Sequence, residues 1–562
     1  MILEPSPQVG FGIPPCTPHT MSSSLPRWED NVAISLGQGP QILKQSTYSR
    51  FVIHPQVDEL SSAVLHALGA SKDQHCFLFP TARLANEFRL YLDASFSAPC
   101  AVHNASELIN TPPCHSVFAA LFTADFRGAM RFYMFTGSGI SPRLAEVCLQ
   151  RLKGRLNQPL SLPSSNEGHC FGDYYIRHSP LVSTEAAKQA IRTRFAGIFG
   201  NSSTRGVDNI SADDVYLYSS GMHAIWETHK LIHDVLVSPS NKLKVAHVNF
   251  LYCDTYKFID LPGATGHHFF TDDTLDKLEA LLKTGTLTHP AVLAIFTDFP
   301  GNPHLTSTDM IKLHALARCH GVPLIVDETI GGLLNVQLLP HCDVIVSSLT
   351  KLFSGLANVL AGAIMLNPAS PFYSRFKTTL DATYEDTLFR HDALILEMNS
   401  REYVQRTIVT NSNTEFLSDK LFPLSQMGGA HESVLKAVYY PKYRSRKNFE
   451  MMRNSLAVEA GLEETGYGPL LSVTFTSVEA AKIFYAALRC YKGTTLGTVF
   501  TIATAFSALT HPPEKMDWLE QHGVEESLVR FSVGMEDPEA IYECVRDALD
   551  AAQRGDEVVE ME

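Results

Sequence analysis

Through the middle of the chain, short apolar runs of strand length alternate with stretches whose apolar residues recur at helical spacing. Val215 to Tyr218, Leu243 to Phe250, Ala291 to Phe296, Pro323 to Asp327 and Asp343 to Ser347 are the runs; Leu275 to Leu282 and Met310 to Cys319 are the helical stretches between them. That rhythm predicts an α/β domain built on a mainly parallel sheet with helices on both faces. In such sheets ligands sit beyond the carboxyl ends of the strands. Asp327 and the residues after Val346 lie at such ends.

The flanks read differently. Pro14-Pro15, Pro18 and Ser22-Ser23-Ser24 make the first thirty or so residues an irregular arm. From Glu59 to about Arg151 helical and strand-like segments alternate, as in Cys76-Phe77-Leu78-Phe79-Pro80, which predicts an additional α/β layer. Gly137-Ser138-Gly139 inside it has no strand-to-helix context and reads as a turn. Pro159 to Gly168 is the linker candidate, and Thr184 to Phe199 has helical period. Glu385 to Phe416 reads as one long helix leading into a smaller α/β domain that includes Leu471 to Phe475 and Ala540 to Ala552. The expected division is therefore an arm over 1–58, the additional layer over 59–160, a large domain over 161–400 and a small C-terminal domain over 401–562.

Composition narrows the function. A chain of 562 residues with 45% apolar and 19% charged residues has room for two or three globular domains. Its net charge of −14, without a run of Lys or Arg, lacks the footprint of a nucleic-acid binder. Eleven cysteines lie at least fourteen residues apart, which argues against disulfide and zinc frameworks and suits a reducing compartment. Five of them adjoin a histidine, for example His75-Cys76 and His341-Cys342, but neighbours on a strand or helix point apart, so no metal site is expected. There is no stretch of eighteen uninterrupted apolar residues, and Met1 to Thr20 holds five prolines instead of a leader's apolar core. The expectation is a soluble cytoplasmic protein acting on small molecules, without nucleic-acid or membrane partners.

The chemistry concentrates at Ser348-Leu349-Thr350-Lys351, whose lysine stands 24 residues after Asp327. Lysine supplies an amine for a Schiff base, hydroxyls can bond a phosphate, and a carboxylate can pair with a pyridine nitrogen, which together suit pyridoxal phosphate. Tyr218-Ser219-Ser220-Gly221-Met222-His223 places a glycine turn at a helix start, a seat for a phosphate dianion. Tyr252 follows one strand end and offers a face for stacking, and Asn302 follows another within reach of a phenolic oxygen. Arg530 offers a planar fork for an α-carboxylate. Each of these alone also suits a plain structural role: a surface lysine, an ordinary βα turn, a core tyrosine, a turn asparagine or a surface arginine.

Together they resemble cystathionine γ-synthase and its relatives among the pyridoxal-phosphate enzymes of cysteine and methionine metabolism. The resemblance runs from about Tyr48 to Asp537, and the arm from Phe11-Gly12-Ile13-Pro14-Pro15 through Ser24-Leu25-Pro26-Arg27-Trp28 is similar to the N-terminal extension of fungal members. It implies the fold type I, or aspartate aminotransferase-like, architecture and a homo-oligomer built as a dimer of dimers. It implies Lys351 as the Schiff-base lysine, Asp327 as the ring-nitrogen partner, and Tyr252 as the stacking tyrosine and a proton-transfer aid. Gly221, Met222, Ser348 and Thr350 become phosphate ligands, with Thr329 and Asn302 as further cofactor contacts and Arg530 and Thr495 as substrate contacts. Tyr48 and Arg50 match a Tyr-x-Arg motif on an arm that reaches the phosphate of a neighbouring subunit.

The implied reaction is γ-replacement on an O-acyl-L-homoserine by a thiol such as L-cysteine. Two departures from the family pattern, apolar Leu356-Ala357 after the lysine and Thr495 where relatives commonly place serine, leave the nucleophile open. A carbon nucleophile such as a β-keto acid, or elimination by a C–S lyase, is the alternative. A non-catalytic member fits least, because Lys351 and Asp327 are both present.

Overall fold

Seven strands form the central sheet of the computed structural model, in the order Val215–Tyr218, Gly362–Leu366, Val344–Ser348, Leu324–Asp327, Ile295–Asp298, Val245–Val248 and His267–Phe270. The last five are mutually parallel, and Gly362–Leu366 runs antiparallel to both its neighbours. The structure describes residues 7–14, 17–38, 48, 52–109, 116–153, 183–199, 202–237, 243–258, 266–287 and 289–555. Arg50 and the linker candidate Pro159 to Gly168 lie outside them.

Side chains alternate across this sheet as a two-residue period requires. Leu217, Leu324, Val326 and Ile345 join one core with the helices Thr184–Phe195, Leu275–Leu282 and Met310–Cys319. Tyr216, Ile325, Val344 and Val346 join the other with the helices Gly221–Leu236 and Tyr373–Thr383. Because both faces are covered, the strand interiors are mostly apolar, with buried His247, Thr297 and Ser347 as exceptions, which is why they read as near-continuous runs.

The second core does not end at the helix Gly221–Leu236. It continues through Phe132, Tyr133 and Phe88 to Phe77 and Phe79 of a three-stranded antiparallel sheet, ordered His75–Phe79, Phe118–Phe122, Cys100–Asn104. Cys76 and Leu78, on the opposite face, pack against the helices Pro55–Ala67 and Pro142–Leu152. Gly137, at φ +59, ends the helix Phe126–Thr136 and turns the chain there.

Where one long helix is expected from Glu385 to Phe416, the chain forms two, Arg390–Ser400 and Tyr403–Leu421. The buried Arg406 accounts for the break: its guanidinium donates to Asn399 O at 2.8 Å, the last turn of the first helix, and to Leu352 O at 2.8 Å and Phe353 O at 3.1 Å just after Lys351. The second helix leads to a five-stranded sheet ordered Leu435–Tyr439, Leu470–Phe475, Val529–Ser532, Ile502–Ala505, Tyr491–Lys492, covered by the helices Val478–Ala487 and Pro538–Arg554.

The arm lies along its own chain. Met21 N–H donates to Ala357 O at 2.6 Å, Leu25 N–H to Lys492 O at 2.9 Å, and Trp28 meets Tyr485 edge to face at 5.9 Å. Among the described residues no helix is long and apolar enough to cross a membrane, no cluster suits a metal ion, and the eight described cysteines are free thiols.

Candidate active site

A cavity of about 860 Å³ opens at the carboxyl edge of the large sheet, and its lining includes Lys351, Asp327, Asp298, Tyr252, Gly221 and Arg530. Parallel pairing brings the strand ends Asp298, Asp327 and Ser348 to one edge, with Asp327 in register with Asp298. The Lys351 ammonium donates to Tyr48 Oη at 3.2 Å and Thr495 Oγ1 at 3.0 Å. Tyr48 thus meets the lysine of its own chain, whereas the resemblance assigns this tyrosine to a neighbouring subunit's site.

Asp327 is held by the residue two positions on. Thr329 N–H donates to Asp327 Oδ1 at 2.8 Å, and Thr329 Oγ1 accepts from Ser348 N–H at 2.8 Å, so one threonine ties two strand ends together. Burial pushes the Asp327 carboxyl up to about 6, against the opposing pull of the Thr329 hydrogen bonds. Asp298 accepts from Tyr252 N–H at 2.8 Å. Burial, and then the charge of Asp327, hold its carboxyl well above the usual carboxylate range. Of these two strand-end acids Asp298 is therefore pushed further toward its protonated form than Asp327. No role for Asp298 follows from the sequence, where it stands four residues before the singled-out Asn302.

The helix Gly221–Leu236 begins at the cavity. Ser220 caps it by accepting from His223 N–H at 3.0 Å, while the N–H groups of Gly221 and Met222 have no acceptor among the described residues. A Cβ on Gly221 would stand 2.6 Å from Ser348 Cβ and 2.8 Å from its Oγ. Only glycine lets the helix start approach the Ser348 hydroxyl this closely. Thr350 also lines the cavity, but its hydroxyl is already engaged, donating to Ala361 O at 3.2 Å and accepting from Ala361 N–H at 3.0 Å.

Arg530 rises from the strand Val529–Ser532 of the small domain, only 4% exposed. It donates to Asn302 Oδ1 at 3.0 Å and stacks over the Phe506 ring at 4.8 Å, so Asn302 serves to orient it. Burial lowers its pKa to about 10, which leaves it a cation at neutral pH. Tyr252 donates from its hydroxyl to Asp254 Oδ2 at 3.1 Å. Phe506 was not anticipated from the sequence, because nothing local distinguishes it from a core phenylalanine.

This topology, with a lysine beyond one strand end and an acid at another, defines an aspartate aminotransferase-like enzyme scaffold. Residues 209–550 match the family described as Cys/Met metabolism PLP-dependent enzyme, and residues 56–141 match the fungal trans-sulfuration enzyme N-terminal domain. The chain is 34% identical to a cystathionine gamma-synthase-like enzyme of Amanita muscaria, covering 97% of this chain and 98% of that one. It is 30% identical to a cystathionine gamma-synthase of Neurospora crassa, again covering 97% and 98%. The fold of an O-acetylhomoserine (thiol)-lyase from Campylobacter jejuni, solved with a pyridoxyl-lysine phosphate, matches with a TM-score of 0.50 at 20% identity, over 67% of this chain and 94% of that one. The chain belongs to the pyridoxal-phosphate-dependent enzymes of cysteine and methionine metabolism, and its cofactor is pyridoxal 5′-phosphate.

The residues present fit that group. Two backbone N–H donors and the Ser348 hydroxyl converge at a helix start, where a phosphate dianion is favoured. The buried Asp327, raised by desolvation, suits a protonated ring nitrogen that would return its charge to the ionised form.

Proposed function

We propose that the chain catalyses γ-replacement on an O-acyl-L-homoserine, with a thiol such as L-cysteine as the incoming nucleophile. The observation that carries this reading is the placement of Lys351 Nζ between the Tyr48 and Thr495 hydroxyls in a cavity that Arg530 also lines. Bound pyridoxal phosphate supplies an electron-withdrawing ring that stores the electron pair released at substrate Cα. Gly221, Met222 and Ser348 would hold its phosphate, Asp327 its ring nitrogen and Tyr252 its face.

Around it the protein's own groups divide the work. Arg530, buried and cationic, takes the α-carboxylate and fixes which Cα bond faces Lys351. Lys351, once displaced by the substrate amine, removes the Cα proton as general base. Thr495 and Tyr48 keep its nitrogen aimed, and Tyr48 or Tyr252 passes the proton lost from Cβ. Departure of the γ-acyloxy group then opens Cγ to the nucleophile. Met222, Leu496 and Phe506 line the cavity and limit water there.

A carbon nucleophile such as a β-keto acid is the second reading, favoured by the apolar outer wall of Met134, Leu509 and Trp518. Leu356 and Ala357 do not enter into it, since they pack with Phe11 and Ile13 of the arm. Product analysis on the purified holoprotein separates the readings. O-acetylhomoserine with L-cysteine is expected to give cystathionine; turnover only with a β-keto acid, or 2-oxobutanoate formed without any nucleophile, would replace that assignment. Lys351→Ala is expected to abolish both turnover and the visible absorption of bound cofactor while far-UV circular dichroism stays unchanged.

A further inference from the structure

Part of the cavity wall comes from the N-terminal layer. Arg127, Arg131, Met134 and Phe135 of the helix Phe126–Thr136 all line it, and their spacing of four, three and one residues puts them on one helical face. The opposite face, with Ala129, Phe132 and Tyr133, is buried in the core shared with the large domain. The helix is therefore held rigidly, with two guanidinium groups one turn apart along the cavity.

Their charge is not matched locally. Among the described residues neither Arg127 nor Arg131 forms an ion pair, whereas Lys257, on the helix Cys253–Phe258 packed against theirs, is paired with Asp254 at 3.2 Å. Lys515 adds a further cation to the lining; its acids are Glu514, Asp254, which pairs with Lys257, and the strand-end Asp298 and Asp327. His511 between them is driven down to about 4 by burial and by the Lys257 and Lys515 charges, the response expected of a histidine in a positive field. On a chain of net charge −14 this patch is not a by-product of composition. Arg131 also lies over the Phe135 ring at 6.0 Å, which steadies its fork.

We propose that Arg127 and Arg131, on the wall of the cavity that holds Lys351, bind a free carboxylate carried by one of the two substrates. The α-carboxylate of the acylhomoserine already has Arg530, so the second carboxylate belongs either to the nucleophile or to the leaving acyl group. A planar guanidinium pair grips a carboxylate bidentately, which selects it over a neutral substituent. The N-terminal layer thereby becomes part of substrate selection. This rests on the γ-replacement reading for the identity of the substrates, though not for the existence of the site.

The test uses the holoenzyme and the double variant Arg127→Gln/Arg131→Gln, both changes being at exposed positions. Four substrate pairs are compared: O-acetylhomoserine or O-succinylhomoserine, each with L-cysteine or ethanethiol. The variant is expected to raise KM at least about tenfold, with kcat little changed, only for the partner that bears the recognised carboxylate. An effect confined to cysteine assigns the nucleophile; one confined to the succinyl ester assigns the leaving group. Equal changes for all four pairs, or none, would overturn the proposal. Succinate binding by calorimetry gives a readout independent of turnover: the wild type is expected to bind it at least about tenfold more tightly than the variant. Equal affinity, or no binding by the wild type, also refutes the site. Absence of turnover with every pair, alongside normal succinate discrimination, would count against γ-replacement alone.

Discussion

Asp298 and Asp327 stand side by side at adjacent strand ends, and the two are not equally placed to carry charge. Burial and the Asp327 charge favour the protonated form of Asp298, and Asp298→Asn keeps its shape and an acceptor for Tyr252 N–H, so kcat/KM is expected within about threefold of wild type. Asp327→Asn removes the charge proposed to pair with the ring nitrogen and is expected to lower kcat/KM by about 10²–10³, measured by steady-state kinetics. The same acid sets a pH dependence in the apoprotein. Its folded pKa, raised to about 6, exceeds the ordinary 3.8, so the folded state binds the proton more tightly than the unfolded state. Stability is then greatest below the lower value and falls as pH rises through about 6, by up to about 3 kcal/mol. Apoprotein Tm between pH 4.5 and 7 is expected to fall in the wild type more than in Asp327→Asn. At this scale the sequence shows what covalent chemistry demands by residue type: Lys351, Asp327, Arg530. Asp298 and Phe506 stay hidden because strand register and domain closure, rather than their own chemistry, give them a role.

At the scale of elements, the start of the helix Gly221–Leu236 depends on one missing methyl group. Gly221→Ala would drive a Cβ to 2.6 Å from Ser348 Cβ, and neither strand end nor helix start can retreat from a packed core. The expected result is a cofactor Kd raised at least about tenfold, read by absorbance titration of the apoprotein, together with a lowered apoprotein Tm, since overpacking of this kind costs about 1–3 kcal/mol. Helix starts and strand ends are marked in the sequence by turn residues and period, and so the runs from Val215 to Ser348 fall within a residue or two of the observed strands at most of their ends. The break between Ser400 and Tyr403 escapes such reading. No proline or glycine marks it; it follows from Arg406 seeking the carbonyls of Leu352 and Phe353, more than fifty residues away in sequence.

For the whole molecule, the N-terminal layer and the large domain are joined through the helix Gly221–Leu236, by a common apolar core and by a charged cluster at its edge. Arg83 of the layer bonds Glu227 at 3.0 Å and Glu385 at 2.8 Å, and Lys230 pairs with both Glu87 and Glu227. Local pattern foretold the layer but not its docking, because the Arg83 and Glu227 partners lie 144 residues apart. Burial pushes the Glu227 carboxyl up, yet His223, Lys230 and Arg83 outweigh it and hold the group well below the usual carboxylate range. The folded state therefore binds this proton less readily than the unfolded state, so the stabilisation is present above about 4.5 and is lost as pH falls below it. Arg83→Ala leaves Glu227 with Lys230 and His223 only and is expected to cost about 1–3 kcal/mol at pH 7. Because the neighbouring cations keep Glu227 ionised in the folded protein well below its usual range, the Tm deficit of the variant is expected to persist from pH 7 to pH 4.5 and to narrow at high salt, and a deficit unmoved by salt would show that Arg83 acts through packing instead of charge.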